Sequence, residues 1–261
     1  MPSGDNQLMT FGGHLEVFRR MLIRVIVVTL CFGVVIFCCK DLTFSLLLAP
    51  CDNDFVTYRA IERLCAMIGI DMKFDAYSIK LINTELSSQF MTHLSTSAYL
   101  AVLFASPYIV IELYRFVAPA LYDNERHYSV PVSIAIYLLF ILGVLMSYYV
   151  LFPFALRFLG TYQVAADVTN NINLSSYITT FTTLTFLMGL VFQIPVISFF
   201  LAKMGILEAS FMKSYRRHAI VLIVIIAAVI TPPDVFTLVL VTLPMYALYE
   251  ISILIVEKVN G

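Results

Sequence analysis

Long apolar runs alternate with short polar segments along the whole chain. Five runs approach or exceed the ~20 residues that an α-helix needs to cross the hydrocarbon core of a bilayer. A sixth run is shorter, with 12 residues between positions 219 and 230. The pattern predicts an all-α polytopic membrane protein, one domain over residues 1–261, with spans at about 21–39, 95–116, 128–151, 176–203, 219–230 and 235–256.

Prolines shape the last three predicted spans. Thr231-Pro232-Pro233-Asp234 separates the final two, and these prolines cannot continue a helix, so we expect a short hairpin with a shallow turn. The fourth span contains Gln193 and Pro195. Because a proline frees a backbone carbonyl, we expect a kink or a cavity beside Gln193.

The composition agrees with a membrane protein and limits its partners. Of the 261 residues 61% are hydrophobic and 13% are charged, about half of the ~25% charged residues of soluble domains. A net charge of −1 argues against a nucleic-acid partner, because such proteins usually carry a basic excess.

The distribution of Lys and Arg predicts that both termini are cytoplasmic. In that orientation the inner flanks hold ten basic residues and the outer segments six, five of which lie in one long loop where the positive-inside rule has little force. The inner ten are Arg19, Arg20, Arg24, Arg115, Arg126, Lys203, Lys213, Arg216, Arg217 and Lys258.

The first apolar run has a competing interpretation as a cleaved export signal, because Phe18-Arg19-Arg20-Met21-Leu22 resembles a twin-arginine signal. The run that follows has about 19 residues, which is long for a signal peptide, and it ends in Cys-Cys-Lys-Asp rather than at a small-residue cleavage site. We therefore expect a retained span.

The predicted outer loop, residues 40–94, is the segment most able to form a small structured cap. Apolar residues at helical spacing predict amphipathic helices over 58–70 and 76–94. Cys51 and Cys65 lie in this loop, on the oxidising side, either as a disulfide or as two thiols. No Cys/His spacing resembles a metal site.

No sequence motif indicates catalysis. The chain lacks G-x-S-x-G, Walker A, H-E-x-x-H and Gly-rich phosphate-binding patterns. We predict that it is not an enzyme and has no cofactor. Polar residues in predicted spans, which are costly to bury, are the remaining candidates: Glu112, Gln193 and Glu250 either serve function or hydrogen-bond a neighbouring helix.

Two polar, aromatic segments lie at predicted cytoplasmic ends: "HLEVFRR" (14–20) and "RFVAPALYDNER" (115–126). Pro119 ends or redirects the second span, and Glu125 would stand in the first turn of the third, where the helix dipole favours an acid. With Phe116 and Tyr122 beside it, Glu125 could instead line a groove for a basic peptide, whose arginines seek carboxylates.

These segments, with "LFPFALRFL", "FQIPV" and "TPPDVFTLVLVTLPMYALYE" in the same order, resemble the TatC family, the receptor subunit of the twin-arginine protein translocase. The resemblance implies a six-helix, cup-shaped protein of the bacterial inner membrane that binds twin-arginine signal peptides of folded cargo. It also implies single-span TatA- and TatB-type partner subunits, several copies of the chain in the complex, and transport driven by the proton-motive force without ATP.

The same resemblance assigns individual residues. Glu125 matches the acid that recognises the arginine pair, with Phe116 beside it. Arg19 matches an arginine of the N-terminal motif, Pro50 a proline early in the first outer loop, and Asp234 the acid of the last outer turn.

Two positions depart from the family pattern. The motif's acid, three residues after His14, is Val17 here, and Glu16 lies one residue earlier, which is about 100° of helix rotation. Gln193 stands where many members have glutamate, so it can form hydrogen bonds but cannot carry a proton. A small-solute transporter and a passive membrane scaffold remain as rival functions.

Overall fold

The structure is a computed structural model that describes residues 11–70, 79–117, 129–163, 165 and 170–260. These ranges contain eleven α-helices and two short strands. In chain order they are α1 (Phe11–Cys38), α2 (Lys40–Leu48), α3 (Val56–Met67), β1 (Lys80–Ile82), α4 (Ser88–Val117), α5 (Ser129–Met146), α6 (Phe152–Thr161), β2 (Asn171–Asn173), α7 (Leu174–Val191), α8 (Ile194–Lys203), α9 (Ala209–Ser214), α10 (Arg216–Ile230) and α11 (Val235–Asn260).

The chain divides into two compact units. The first contains Met1–Cys38 and Ser97–Tyr137, and the second contains Cys39–Thr96 and Leu138–Gly261. Helices α4 and α5 contribute residues to both units. The expectation that 1–261 forms one domain stays a prediction.

In the first unit α4 passes through a proline without a break. Pro107 lacks the N–H that would bond to the carbonyl of Leu103, four residues earlier. The hydroxyl of Ser106 donates to that carbonyl at 2.6 Å. A serine therefore occupies the acceptor that the proline leaves open, as neighbouring hydroxyls do in membrane helices.

In the second unit α5 and α7 cross closely at two glycines. A Cβ at Gly143 would lie 2.6 Å from the carbonyl oxygen of Met188, and one at Gly189 would lie 2.7 Å from the ring of Phe140. Small residues allow such close helix approach in membranes. One turn further along, a π-helical turn at Ser147–Leu151 joins α5 to α6.

The last helix, α11, packs against α8, α9 and α10. At one end of α11, Ala202, Met212, Ile253 and Val256 form a buried apolar cluster. At the other end a turn leads from α10 into α11, which confirms the predicted hairpin of the last two helices.

The described residues of the predicted outer loop form a cap, and hydrogen bonds from tyrosine hydroxyls to backbone carbonyls hold it to the helices of the second unit. Tyr58 of α3 donates to the carbonyl of Pro153 at 2.9 Å, and Tyr177 of α7 donates to the carbonyl of Leu47 at 2.7 Å. Strands β1 and β2 pair in parallel, with Leu81 opposite Ile172. These contacts join residues far apart in sequence, so the cap is a tertiary structure.

The helices agree with the predicted spans in order, and they differ in extent. Five helical segments are long and apolar enough to cross a membrane within the described residues: Leu15–Cys38, Ser88–Leu113, Ile134–Thr161, Leu174–Lys203 and Val235–Asn260. The predicted short span is α10, with 15 residues. The third segment ends at Thr161 rather than at 151, because the helix continues through the π-turn into α6.

Two local predictions have different outcomes. The kink at Gln193 and Pro195 is confirmed, because α7 ends at Val191 and α8 begins at Ile194. The amphipathic helix over 76–94 is wrong for its first half. Residues 80–82 form β1 and pair with β2, and the helix begins only at Ser88, whereas residues 71–78 lie outside the described part.

Candidate functional site

The start of α1 and the end of α4 meet through two aromatic rings. The centroids of Phe18 and Phe116 lie 5.5 Å apart, with their planes tilted by 55°. Aromatic pairs in this distance range contribute about 0.5–1.5 kcal/mol beyond the area that they bury. The ring contact brings together one residue from each of the two segments that the sequence predicts on the same membrane face, Phe18 of "HLEVFRR" and Phe116 of "RFVAPALYDNER".

An ion pair joins the same two helices one turn further in. Nη2 of Arg24 lies 3.2 Å from Oε2 of Glu112. The side chain of Glu112 is 2% exposed, and that of Arg24 is 54% exposed. A buried carboxylate needs a charge partner, because desolvation of an isolated ion costs several kcal/mol. Glu112 is thus a buried carboxylate that binds a guanidinium.

Glu16, the acid next to Val17 in the N-terminal motif, also forms an ion pair. Glu16 accepts from Nη2 of Arg20 at 2.5 Å, one helical turn along α1, and both side chains are exposed. Arg19 is exposed on the same helix, and Val17 is exposed between them. Because Glu16 forms an exposed ion pair within α1, the pair contributes little to stability.

Three predicted residues of this site, Pro119, Tyr122 and Glu125, lie outside the described residues. The described part of the site therefore consists of the first turns of α1 and the last turns of α4. Phe116 is the residue of "RFVAPALYDNER" whose side chain the structure places, and it is half-buried against Phe18.

The predicted intramembrane residues Gln193 and Pro195 lie at the break between α7 and α8. Nε2 of Gln193 donates to the carbonyl of Gly189 at 3.4 Å. Pro195 is buried at the start of α8, where a missing N–H costs nothing because the first turn has no acceptor for it. The side chain of Gln193 is half-buried, next to the close crossing of α5 and α7.

Glu250 belongs to a second interhelical ion pair. Its Oε2 lies 2.8 Å from Nη2 of Arg216 on α10, and its Oε1 accepts from the hydroxyl of Tyr246 at 2.7 Å. Lys213 and Glu257 form a neighbouring pair at 2.7 Å. These bonds hold α11 to the segment that contains α9 and the start of α10.

The two predicted structural residues of the outer loops are placed in turns. Pro50 is buried in a 3-10 turn, Ala49–Cys51, that ends α2. Asp234 caps α11: its Oδ1 accepts from the backbone N–H of Thr237 at 2.7 Å, and its Oδ2 accepts from the Thr237 hydroxyl. A carboxylate at this position satisfies a free N–H of the first turn and complements the helix dipole.

Cys51 and Cys65 carry thiols in the structure, and no disulfide joins them. Burial raises the pKa of the Cys51 thiol, and a hydrogen bond with Tyr177 opposes that rise. Their pairing stays a prediction. In the described residues no group of three or more His, Cys, Asp or Glu side chains could hold a metal ion.

Sequence reasoning missed the contact of Arg24 with Glu112. In the sequence, Arg24 serves as an orientation signal at the inner flank, and Glu112 is a separate candidate within the second span. The signal that could have paired them was their position: each is an ionisable residue near the predicted inner end of its span, and the spans are consecutive. Opposite charges at one depth of a membrane usually pair.

The fold and these contacts define a polytopic helical membrane protein with charged and aromatic contacts between the ends of its helices. The family model of the Sec-independent protein translocase protein (TatC) matches residues 13–244. The chain belongs to the TatC family and is a component of the twin-arginine protein translocase, a multi-pass protein of the inner membrane.

Curated relatives and solved structures agree. A TatC protein of Blattabacterium sp. subsp. Periplaneta americana is 32% identical over 251 residues, which is 95% of this chain and 94% of that protein. TatC of Helicobacter pylori strain J99 is 38% identical over 71% of this chain and 74% of its own length.

A crystal structure of the twin arginine translocase receptor TatC matches with a TM-score of 0.74 and 28% identity, covering 95% of this chain and all of that one. These findings confirm the family and the polytopic all-α fold that the sequence predicts. They favour a translocase component over the solute transporter.

Proposed function

We propose that this chain is the receptor that binds twin-arginine signal peptides, on a face that includes the start of α1 and the end of α4, with Glu125 of the segment that follows α4 in the sequence as its main acid. The observation that carries the proposal is the contact of Phe18 with Phe116, 5.5 Å between ring centroids. It supports a single surface built from the two segments that the sequence singles out.

The chemistry of this face suits a peptide with consecutive arginines. A guanidinium binds carboxylates in a two-pronged geometry that an ammonium cannot reproduce. Glu125 is the proposed acceptor for the arginine pair, and Phe116 and Tyr122 would contact the apolar residues that follow. Glu16 and Arg19 on α1 would complete the polar side. Glu16 is held by Arg20, so its part requires exchange of that ion pair.

The remaining assignments form part of the same proposal. Both termini lie in the cytoplasm, as the ten inner basic residues favour. The break at Gln193, with Pro195, is the proposed contact for single-span TatA- or TatB-type subunits, because a polar side chain at a helix break can bond another helix. Several copies assemble with these subunits, and the proton-motive force drives transport without a catalytic step by this chain.

Binding of paired peptides to the purified protein tests the receptor function. A synthetic signal peptide with Arg-Arg and its Lys-Lys counterpart keep the same charge, so a difference in Kd reports recognition of the guanidinium. We expect the Lys-Lys peptide to bind at least about tenfold more weakly, from the loss of about 1.4 kcal/mol or more in a partly desolvated site. Equal affinities would leave the passive scaffold as the better account.

Glu125→Ala identifies the acceptor. We expect it to weaken the Arg-Arg peptide by a few kcal/mol and to remove the preference over Lys-Lys, whereas the unfolding free energy changes by under about 1 kcal/mol. Glu16→Ala and Val17→Glu, measured alongside, show whether the displaced acid takes part. An unchanged preference in Glu125→Ala would return Glu125 to a helix-terminal role.

A further inference from the structure

Helix α3 of the cap carries an apolar stripe on its exposed side. Four residues at three- and four-residue spacing form the stripe: Val56, Ala60, Leu64 and Met67. All four are exposed, and Met67 is 82% exposed. On the other side of the helix Tyr58 is fully buried. Because α3 already packs on the cap through that side, the stripe is a second apolar surface, of the kind that marks an interaction site.

Two arginines border this stripe. At 100° per residue, Arg63 lies about 20° outside the edge of the stripe at Val56, and Arg59 lies about 60° outside it. Both arginines are exposed. The acid of this helix, Glu62, lies further round, about 120° from Val56. A helix with an apolar stripe and bases beside it is typical of segments that lie in a membrane interface.

Contacts of α3 with the third helical segment favour a position at the membrane surface. That segment, Ile134–Thr161, has 28 residues. Its length of about 42 Å exceeds the ~30 Å thickness of the hydrocarbon core. The hydroxyl of Thr57 donates to the carbonyl of Tyr149, and that of Tyr58 donates to the carbonyl of Pro153 at 2.9 Å. These two carbonyls flank the predicted end of the third span, so α3 packs where the segment leaves the hydrocarbon.

We propose that the apolar stripe of α3 lies in the boundary between hydrocarbon and water, and that Arg59 and Arg63 bind the phosphates of anionic lipid headgroups there. The stripe then faces acyl chains instead of water. A guanidinium bonds phosphate oxygens in a two-pronged geometry, and a long arginine side chain reaches from an apolar surface to the headgroups. Anionic lipid is thus a ligand of the cap, at a site that shares no residue with the proposed recognition face.

An introduced indole reports the surroundings of the stripe, because the chain contains no tryptophan. Met67→Trp is reconstituted in vesicles of phosphatidylglycerol and phosphatidylcholine. Brominated acyl chains quench its fluorescence from the lipid, and iodide on both sides quenches it from water. Leu142→Trp, exposed in α5, is the lipid control, and Tyr162→Trp, exposed after the end of α6, is the water control. We expect quenching of Met67→Trp by brominated chains close to that of Leu142→Trp and several-fold above that of Tyr162→Trp.

The headgroup preference is measured at the same position, with each of the two lipids brominated in turn. We expect brominated phosphatidylglycerol to be enriched beside Met67→Trp. Arg59→Gln and Arg63→Gln should each lower this enrichment by roughly fivefold, which is the effect of one base near an anionic surface. Arg217→Gln removes the same charge from an exposed arginine of α10 and should leave the enrichment unchanged.

Three results would overturn the proposal. The first is quenching of Met67→Trp by iodide, and not by brominated lipid, to the extent seen for Tyr162→Trp. The second is protection from both quenchers, since a second copy of the chain would then cover the stripe. The third is equal enrichment of the two lipids, or an enrichment that survives the loss of both arginines. Circular dichroism checks the fold of each variant, and Leu64→Trp is a second reporter on the same stripe.

Discussion

Among the described residues, an Arg–Glu pair joins two helices in each compact unit, and the two pairs differ in how deeply the carboxylate is buried. In the pair of α1 with α4, Glu112 is 2% exposed. In the pair of α10 with α11, Glu250 is 32% exposed and also accepts from Tyr246. Both arginines are about half exposed.

This difference in burial predicts which ion pair loses more stability when its arginine is removed. Glu250 keeps water and the Tyr246 hydroxyl if Arg216 leaves. Glu112 is almost fully desolvated by the protein, so loss of the Arg24 guanidinium removes a charge partner where solvent can replace little of it. The ion pair in the unit that carries the proposed recognition face therefore has the more deeply buried carboxylate, and the ion pair that holds α11 has the more solvated one.

Removal of each arginine gives the largest expected contrast. Arg24→Gln should lower the unfolding free energy by about 2–4 kcal/mol, because the buried Glu112 carboxylate loses the guanidinium that pairs with it. Arg216→Gln should lower it by under about 1 kcal/mol, as is usual for exposed pairs. Denaturant unfolding in detergent micelles, followed by circular dichroism, measures both. Equal losses would mean that burial of the carboxylate does not distinguish the pairs.

The turn between α10 and α11, in the second unit, gives an intermediate expected change in the unfolding free energy. Asp234→Ala removes the cap of α11 and should cost about 1 kcal/mol. Asp234→Asn keeps an oxygen that can accept from the N–H of Thr237, so it serves as the matched control and should retain most of the stability. Should the asparagine variant be as unstable as the alanine variant, the charge rather than the cap would be the stabilising feature.

The smallest expected effect concerns the reactivity of Cys51, in the folded outer loop of the second unit. Burial raises the pKa of the Cys51 thiol, so at pH 8 less of it is thiolate than in an ordinary cysteine. Because the thiolate is the nucleophile, iodoacetamide should alkylate Cys51 more slowly than the exposed Cys39, and its rate should keep rising above pH 8.5. Rapid labelling of Cys51 at pH 8 would contradict a buried thiol with a raised pKa. Protection that is lost only after reduction would indicate a disulfide with Cys65.

The sequence predicts the helices well because long apolar runs can satisfy their backbone only as helices in a bilayer. Residues 176–203 and the kink at Pro195 follow directly from that rule and from the missing N–H of proline. Periodicity failed at residues 80–82, where the pairing partner lies about 90 residues away in β2. Strand pairing at that separation leaves no local pattern to detect.

In the candidate site, too, some features could be predicted from the sequence and others depend on how the helices pack. Phe116 and Glu112 could be singled out because aromatic and charged residues are unusual at the ends of apolar spans. The pairing of Glu112 with Arg24 could have been inferred from their positions near the inner ends of consecutive spans, whereas the contact of Phe116 with Phe18 depends on how α1 and α4 pack. Resemblance supplied roles for Glu125 and Asp234, and the structure adds that Asp234 caps α11.

Photo-crosslinking from position 116 tests the central claim most directly. The claim is that the start of α1 and the end of α4 belong to the surface that recognises the arginine pair of the signal peptide. A benzophenone amino acid replaces Phe116 in one variant and Tyr215, an exposed aromatic residue of the second unit, in the control. We predict that the Arg-Arg signal peptide crosslinks at 116, that the Lys-Lys peptide does so far less, and that neither prefers 215. Equal crosslinking of both peptides at 116, or stronger crosslinking of the Arg-Arg peptide at 215, would contradict the account.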